Sequence, residues 1–349
     1  MAKAVSLKSH FKKTNTEPHT QKTALVTGGA GFIGSNLIED LLLRGFIVFA
    51  VDNLITGKME NISKFSNKKN FYFFEMDVVS NSFIKNFRPV PLNYIYHLAC
   101  PTGVPNIKTL GEEMLLASSL GTRHALELAR HHGAFFVYAS SAEVYGNPEV
   151  YPQTEDYCGN VHPTGPRSAY EEGKRFAESL IKLYSEKHGV NSKIIRIFNT
   201  YGPGMSLSDM RVFPQFIRAI LEARELLIYG NGMQTRTSLF IEDLLLGIHL
   251  VVEKGTQGEI YNIGGTDAIT INDLARLVLK IANRTNTIIY KPHFIEDHHN
   301  RMPCIKKIME LGWVPKISLE EGLRRMVSHY GIVSEIFYED VKDVKTVSL

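Results

Sequence analysis

The chain has 349 residues, of which 44% are hydrophobic and 21% are charged, as is typical of a globular protein. Its 39 lysines and arginines nearly balance 36 aspartates and glutamates, so the net charge of +3 gives no indication of a nucleic-acid partner. No apolar run approaches the roughly 18 residues of a membrane helix, so no membrane association is predicted. Three scattered cysteines exclude a disulfide framework and favour a reducing cytoplasm.

The first 200 residues alternate short apolar runs with helical patterns. Residues 1–20 are polar and basic and predict a flexible N-terminal tail. Strands are predicted at 23–27, 46–51, 71–74, 94–98, 134–139 and 193–198, and helices at 32–44, 112–131 and 167–188. Apolar strands that alternate with helices are typical of an α/β protein, and we predict a doubly wound parallel Rossmann sheet.

The pattern becomes less regular beyond residue 200, where Gly202, Pro203 and Gly204 interrupt it. Shorter strands and helices there predict a smaller α/β substrate-binding domain. The predicted boundaries are 21–200 for the Rossmann domain, with a returning segment at about 236–253, then 201–235 and 254–335 for the substrate-binding domain, and 336–349 for a C-terminal tail.

A glycine-rich loop lies between the first predicted strand and the first helix. Gly28 permits a tight turn, Gly31 lets the backbone approach a pyrophosphate, and Gly34 lets the helix pack on the strand. The helix N-terminus supplies free N–H groups to the phosphates. Asp52 ends the second strand at the spacing of an acid that binds the adenosine ribose. Because its carboxylate repels a 2′-phosphate, NAD is predicted rather than NADP.

A second constellation follows the fifth predicted strand. Ser141 and Glu143 lie at the end of that strand, and Tyr170 and Lys174 follow within a helix. Because Tyr170 and Lys174 are four residues apart, they share a helix face. A lysine charge beside a tyrosine favours the phenolate, so we predict that Lys174 lowers the pKa of Tyr170. Such a tyrosine can remove a proton from a substrate hydroxyl.

Together these motifs resemble the extended short-chain dehydrogenase/reductase family of nucleotide-sugar enzymes, over roughly residues 22–330. Within that family the sequence is most similar to the UDP-glucuronate decarboxylase, or UDP-xylose synthase, subfamily. The segments that carry the similarity are VDNLITGK (51–58), IYHLACP (95–101), the long run from Ser140 to Arg175, RIFNTYGP (196–203) and LGWVPKISLEEGL (311–323).

The resemblance implies that an NDP-hexuronate, UDP-glucuronate above all, loses CO₂ through a 4-keto intermediate. The C4 position is oxidised first and reduced again afterwards, so NAD is regenerated and no metal is needed. Tyr170 would take the C4 hydroxyl proton, Ser141 would bind the C4 oxygen, and Lys174 would hold the nicotinamide ribose. Glu143 and Arg301 would act near C5 and the carboxylate.

The resemblance also implies a set of binding residues and a homodimer formed through the helices at 112–131 and 167–188. The residues implied for NAD are Gly28, Gly31, Phe32, Ile33, Gly34, Asp52, Asn53, Gly57, Asp77, Val78, Leu98, Tyr170, Lys174 and Thr200. Those implied for the nucleotide sugar are Asn199, Arg211, Arg236, Glu143 and Arg301.

The chain departs from the subfamily in a shortened 105–117 loop and at Ala142, Gly204 and Cys304. These changes leave open which uronate is the substrate, and a 2-acetamido uronate is one alternative. A 4-epimerase or 4,6-dehydratase is the enzymatic alternative, although Glu143 disfavours the first and Ala142 the second. A binder of NAD or sugar nucleotide without catalysis is a further alternative.

Overall fold

The protein is described by a computed structural model that covers residues 21–292 and 301–332. Both predicted tails, 1–20 and 336–349, lie outside these residues. The strands are β1 Thr23–Thr27, β2 Ile47–Asp52, β3 Phe71–Glu75, β4 Tyr94–His97, β5 Phe135–Ser141, β6 Ser192–Ile197, β7 Thr200–Tyr201, β8 Leu226–Tyr229, β9 Thr235–Thr237, β10 Leu239–Phe240, β11 Ile260–Ile263, β12 Ala268–Thr270 and β13 Ile288–Lys291.

The helices cover both faces of the sheet and the second half of the chain. They are α1 Phe32–Leu43, α2 Glu60–Ser63, α3 Asn81–Phe87, α4 Val104–Thr109, α5 Gly111–Leu116, α6 Thr122–His132, α7 Ser168–His188, α8 Val212–Leu221, α9 Ile241–Lys254, α10 Ile271–Ala282, α11 Lys306–Met309 and α12 Leu319–His329. A π-helical turn spans Ala117–Gly121, and a 3₁₀ turn spans Ala142–Tyr145. None of the helices in the described ranges has the length and apolarity to cross a membrane.

Seven strands form one parallel sheet in the order β11-β6-β5-β4-β1-β2-β3. Successive side chains of each strand pack into hydrophobic cores on opposite faces of the sheet. Ala24 and Val26 of β1 pack on the side of α1 and α9, whereas Leu25 packs on the side of α6 and α7. This arrangement confirms the predicted doubly wound Rossmann sheet. The strand order reverses between β1 and β4, and that switch point is where such sheets bind ligands.

The second half of the chain builds three two-stranded sheets, which pair β7 with β10, β8 with β13, and β9 with β12. The strand Ile260–Ile263 instead joins β6 at the edge of the central sheet. The chain therefore returns to the central sheet beyond the predicted segment 236–253, while the domain boundaries stay a prediction. Asp243 helps to fix this half, because its carboxylate accepts bonds from the N–H groups of Lys316 and Ile317 at 2.9 Å.

Candidate active site

The glycine-rich loop connects β1 to α1 at the switch point. Gly28 has a φ of +70°, and a Cβ there would come within 2.9 Å of the Leu98 backbone. A Cβ on Gly34 would lie 2.1 Å from the carbonyl oxygen of Gly28. No side chain of the described residues caps α1, so the first N–H groups of this helix face the loop opening. This cradle of backbone fits the pyrophosphate of a dinucleotide.

Asp52 lies at the carboxyl end of β2 beside this cradle. Its carboxylate accepts hydrogen bonds from the N–H groups of Ala30 at 3.0 Å and Leu54 at 2.9 Å. A Cβ on Gly57 would lie 2.7 Å from one carboxylate oxygen, so only glycine lets the chain pass so close. Burial raises the pKa of Asp52, and the two N–H groups limit that rise. The carboxylate is therefore fixed at the strand end beside the cradle, and its role as a ribose acceptor stays a prediction.

The other residues predicted for the cofactor lie just beyond the ends of the central strands or in the first turn of α1. Asn53 donates its side-chain amide to Asp77 at 3.1 Å, which joins the ends of β2 and β3. Val78 packs closely on Gly121, because a Cβ on that glycine would lie 2.7 Å from the Val78 side chain. Thr200 is buried and donates its hydroxyl to the carbonyl of Phe198 at 3.0 Å, so this hydroxyl already has an acceptor within the chain. Phe32 and Ile33 form the partly buried first turn of α1.

Tyr170 and Lys174 occupy the first two turns of α7. Lys174 is buried, donates to the carbonyl of Ala139 at 2.8 Å, and lies 5.7 Å from the centre of the Tyr170 ring. Burial and the nearby Cys100 raise the pKa of Tyr170, while a hydrogen bond with Ser141 opposes the rise. The predicted lowering of this pKa by Lys174 is therefore wrong for this structure, since burial outweighs the charges around the phenol. Burial also lowers the pKa of Lys174.

Ser141 ends β5 and begins the 3₁₀ turn that carries Glu143. Its hydroxyl accepts a bond from the N–H of Glu143 at 3.2 Å and is also hydrogen-bonded with Tyr170. The strand end and the turn thus place Ser141, Glu143 and Tyr170 next to one another, as predicted from the sequence.

Glu143 is clamped between two arginines. One carboxylate oxygen accepts from Arg167 Nη2 at 2.6 Å and from Arg301 Nη2 at 2.8 Å, and the other accepts from Arg301 Nη1. The three side chains are only 12–17% exposed. Burial alone would raise the pKa of Glu143, but the two guanidiniums hold it far below its ordinary value. The carboxylate is therefore ionised at neutral pH and acts only as a hydrogen-bond acceptor.

The segment after Arg301 is held by a short parallel pairing with residue 153. The backbone N–H of Gln153 donates to the carbonyl of Met302 at 2.9 Å, and the N–H of Cys304 donates to the carbonyl of Gln153 at 2.8 Å. The side chain of Gln153 is buried and accepts from the N–H of Met302, and the Asn262 amide donates to the Gln153 carbonyl at 3.0 Å. This pairing brings Arg301 to Glu143, although 158 positions separate them in the chain.

Sequence reasoning missed Arg167 and Gln153. Arg167 lies three positions before Tyr170 inside the run that carries the family resemblance, but nothing in its local pattern distinguishes it from a solvated cation. The partner of Gln153 lies about 150 residues away, and its glutamine side chain gives no chemical signal of that pairing.

The other residues predicted for the nucleotide sugar lie on separate elements of the second half of the chain. Arg211 lies at the start of α8, pairs with Asp209 at 2.5 Å, and is close enough to Tyr170 to lower its pKa. Arg236 lies on β9 and donates to the carbonyl of Thr235 at 2.9 Å. Asn199 donates to the carbonyl of Thr237 at 3.4 Å, and the Thr237 hydroxyl reaches the carbonyl of Arg301 at 3.4 Å. Their roles toward a diphosphate stay a prediction.

The predicted helix 112–131 is divided in the structure. Its middle forms the π-helical turn, which directs the buried side chain of Ser118 toward α7. A Cβ on Gly173 would lie 3.2 Å from the Ser118 hydroxyl oxygen, so glycine allows the two helices to approach closely. Such single π-helical turns are frequent at functional sites. Here it lies behind the Tyr170 and Lys174 face.

Comparisons with known proteins identify the family of this chain. Residues 24–264 match the NAD dependent epimerase/dehydratase family. The chain is 41% identical over 307 residues to UDP-glucuronic acid decarboxylase 1 of Arabidopsis thaliana, covering 88% of this chain and 69% of that protein. It is 38% identical to UDP-glucuronic acid decarboxylase 1 of Danio rerio, covering 89% and 73%.

Solved structures show the same fold. A UDP-glucose 4-epimerase from Thermotoga maritima, determined with UDP-glucose, superposes with a TM-score of 0.81 at 29% identity, covering 88% of this chain and 98% of that one. A dTDP-glucose 4,6-dehydratase from Streptomyces venezuelae, determined with NAD, gives a TM-score of 0.79 at 27% identity, covering 88% and 97%. The chain therefore belongs to the NAD dependent epimerase/dehydratase family.

Proposed function

We propose that the protein is an NAD-dependent decarboxylase that converts UDP-glucuronate to UDP-xylose. The observation that carries this proposal is the pairing of Glu143 with Arg301 beside Tyr170. A neutral hexose offers such an arginine no anion, whereas the carboxylate of a uronate does. Relatives that are 37–41% identical and carry the name UDP-glucuronic acid decarboxylase support the same substrate.

The glycine cradle and Asp52 would hold NAD by its pyrophosphate and its adenosine ribose. When bound, NAD⁺ would supply the hydride acceptor for C4 oxidation and the hydride donor for the later reduction, and its positive charge would favour the phenolate form of Tyr170. Lys174 would bind the nicotinamide ribose from the neighbouring turn of α7.

In its phenolate form Tyr170 would remove the proton of the C4 hydroxyl and return it when C4 is reduced again, and Ser141 would donate a hydrogen bond to the same oxygen. The resulting ketone lies β to the carboxylate. The bond between C5 and the carboxylate therefore breaks with its electrons delocalised onto the C4 oxygen. Ser141 and Tyr170 stabilise that negative charge, which is the role of an oxyanion site.

Arg301 binds the carboxylate of the sugar and orients it for departure. Because Glu143 is ionised, it cannot itself donate the proton that C5 needs after CO₂ has left. Its acceptor oxygens would instead orient Arg301 and a water molecule near C5, and that water would deliver to C5 a proton taken from solvent. This division of roles follows from the low pKa that the two guanidiniums impose on Glu143.

We also propose a homodimer built on α5 and α7. Phe176 and Leu183 lie seven residues apart on α7 and are 53% and 50% exposed, and Leu115 and Leu116 at the end of α5 are exposed as well. An apolar stripe at this spacing is typical of a helical interface. Light scattering should show a dimer that Phe176→Glu with Leu183→Glu converts to a monomer. Met233→Glu, at an exposed methionine outside this face, should leave it intact.

A cytoplasmic location is proposed on separate grounds. Cys100, Cys158 and Cys304 are all free thiols, as the reducing cytoplasm favours. Cell fractionation would test this.

A product assay tests the activity. Purified protein is incubated with UDP-glucuronate and catalytic NAD⁺, and the sugar nucleotides are analysed by mass spectrometry and proton NMR. We expect a UDP-pentose with the xylo configuration and no net NADH. An unchanged mass with inverted C4 would indicate an epimerase, and turnover of a 2-acetamido or dTDP-linked uronate alone would change the substrate. No turnover of any of these would contradict the proposal.

A further inference from the structure

Two guanidiniums share the single carboxylate of Glu143. Arg301 uses both of its terminal nitrogens on the two oxygens, and Arg167 adds a bond of 2.6 Å to one of them. A lone buried carboxylate needs only one such partner to remain ionised. The second arginine therefore indicates a role beyond keeping Glu143 ionised.

Arg301 has a buried donor that Glu143 does not use. Its Nε is buried and has no acceptor among the residues the structure describes. On the proposed function, the carboxylate of the sugar must also reach this guanidinium. Both terminal nitrogens of Arg301 already donate to Glu143 and its Nε is buried, so a second carboxylate that approaches this guanidinium competes with Glu143 for the terminal nitrogens. Substrate binding should therefore draw Arg301 partly away from Glu143.

Arg167 is anchored independently of Arg301. It stands at the N-terminus of α7, and its Nε donates to Glu171 one turn along the helix at 3.3 Å. The Glu171 backbone N–H also donates to the Arg167 carbonyl at 3.1 Å. The helix and the Glu171 side chain thus fix Arg167 beside Glu143 whichever way Arg301 turns.

Without Arg167, a turn of Arg301 toward the sugar would leave Glu143 as a buried and unpaired carboxylate, which is costly. We propose that Arg167 is a positioning residue that holds the Glu143 carboxylate in place and so releases Arg301 to bind the carboxylate of the substrate. This inference rests on the proposed function. It makes Arg167 a determinant of the preference for uronates, acting through Glu143 and Arg301.

The test compares two ligands that differ by the carboxylate. Dissociation constants for UDP-glucuronate and UDP-xylose are measured by calorimetry on NAD-loaded protein, for the wild type, Arg167→Met and Arg167→Lys. We expect Arg167→Met to weaken UDP-glucuronate binding about 10–100-fold and UDP-xylose binding less than about threefold. The lysine keeps the charge but loses the planar fork, so Arg167→Lys should recover part of the preference.

A matched control is Arg276→Met on α10. Its guanidinium also pairs with a carboxylate, that of Asp273, but is 70% exposed and far along the chain from the site. Both affinities should stay at wild-type values. Equal weakening of both ligands in Arg167→Met, or no weakening, would overturn the inference.

Two further outcomes are kept apart by the same measurements. If the wild type neither prefers nor turns over UDP-glucuronate, the proposed function fails. If the wild type does both and Arg167→Met keeps the same preference, only this inference fails. Should Arg167→Met not fold, Arg167→Lys decides: a preference lowered about threefold or more supports the inference, and an unchanged preference overturns it.

Discussion

The two sides of the site are built by different physical means. The cofactor side consists of the loop 28–34, Asp52 and Gly57, where the chain approaches itself so closely that a single Cβ would collide with backbone or carboxylate. The sugar side consists of Glu143, Arg167 and Arg301, which are held by paired charges and supported by a buried glutamine. One side depends on backbone shape and the other on charge balance.

This difference predicts which substitutions should affect all nucleotide sugars and which should affect only uronates. A change on the cofactor side should affect every nucleotide sugar alike, because all of them need the same cofactor. A change on the sugar side should separate uronates from neutral sugars. Tyr170 and Ser141 lie between the two sides and should affect turnover more than binding.

The largest effect is expected for Tyr170→Phe, which removes the proton acceptor and leaves the ring in place. We expect kcat to fall by about 10³-fold, within the range of general acid–base catalysis. The affinities for NAD and UDP-glucuronate should change by less than about threefold. Single-turnover kinetics with calorimetry would measure both, and a variant with a tenth of the wild-type rate would exclude Tyr170 as the base.

Ser141→Ala should have the next largest effect. Loss of a donor aimed at a developing oxyanion costs about 10²-fold in kcat. Because Ser141 also accepts a bond from the Glu143 N–H, a small loss of thermal stability should accompany it. Ser179→Ala is the matched control, since within the described part of the chain that hydroxyl bonds to the Arg175 carbonyl of its own helix. A loss confined to KM would contradict the role given to Ser141.

Asp52→Asn sharpens the comparison from the cofactor side. The neutral amide loses the charge that would bind the ribose, and we expect NAD to bind about 10-fold more weakly. At saturating NAD, the preference for UDP-glucuronate over UDP-xylose should equal that of the wild type. A changed preference would show that the two sides are not independent.

The smallest effect is expected on the pH dependence of stability, which the wild type and Glu143→Gln should show differently. The pKa of Glu143 is lowered in the folded protein, so its stabilising contribution is present above the ordinary glutamate pKa of about 4.3 and is lost as pH falls toward the folded value. Melting temperatures of the wild type and Glu143→Gln should therefore keep a constant difference from pH 8 to 5.5. Below about pH 4.5 the wild type should lose stability relative to the variant, and a difference independent of pH would contradict this.

The sequence predicted the cofactor side well because local patterns encode it. The strands at 23–27 and 46–51, with the loop between β1 and α1, appear within one or two residues of their predicted bounds. Glu143 and Arg301 were each predicted near C5 only through family resemblance, and their pairing with each other was not predicted. Its support by Gln153 depends on contacts between distant segments, which no local periodicity reports.

Two departures have local physical causes. The helix predicted at 112–131 contains a π-helical turn at Ala117–Gly121, at the place where Ser118 packs closely on Gly173 of the neighbouring helix, a contact that periodicity does not report. The predicted fall in the pKa of Tyr170 followed from counting one neighbouring charge. Burial opposes that charge, and the extent of burial cannot be read from helix spacing.

The measurement that tests the central claim most directly uses UDP-glucuronate carrying deuterium at C4. The account predicts that CO₂ is released and that the deuterium is found again at C4 of UDP-xylose, with no label lost to solvent or to free NADH. Release of CO₂ with loss of the label would contradict a closed oxidation and reduction at C4. Return of the label without release of CO₂ would contradict the decarboxylase itself.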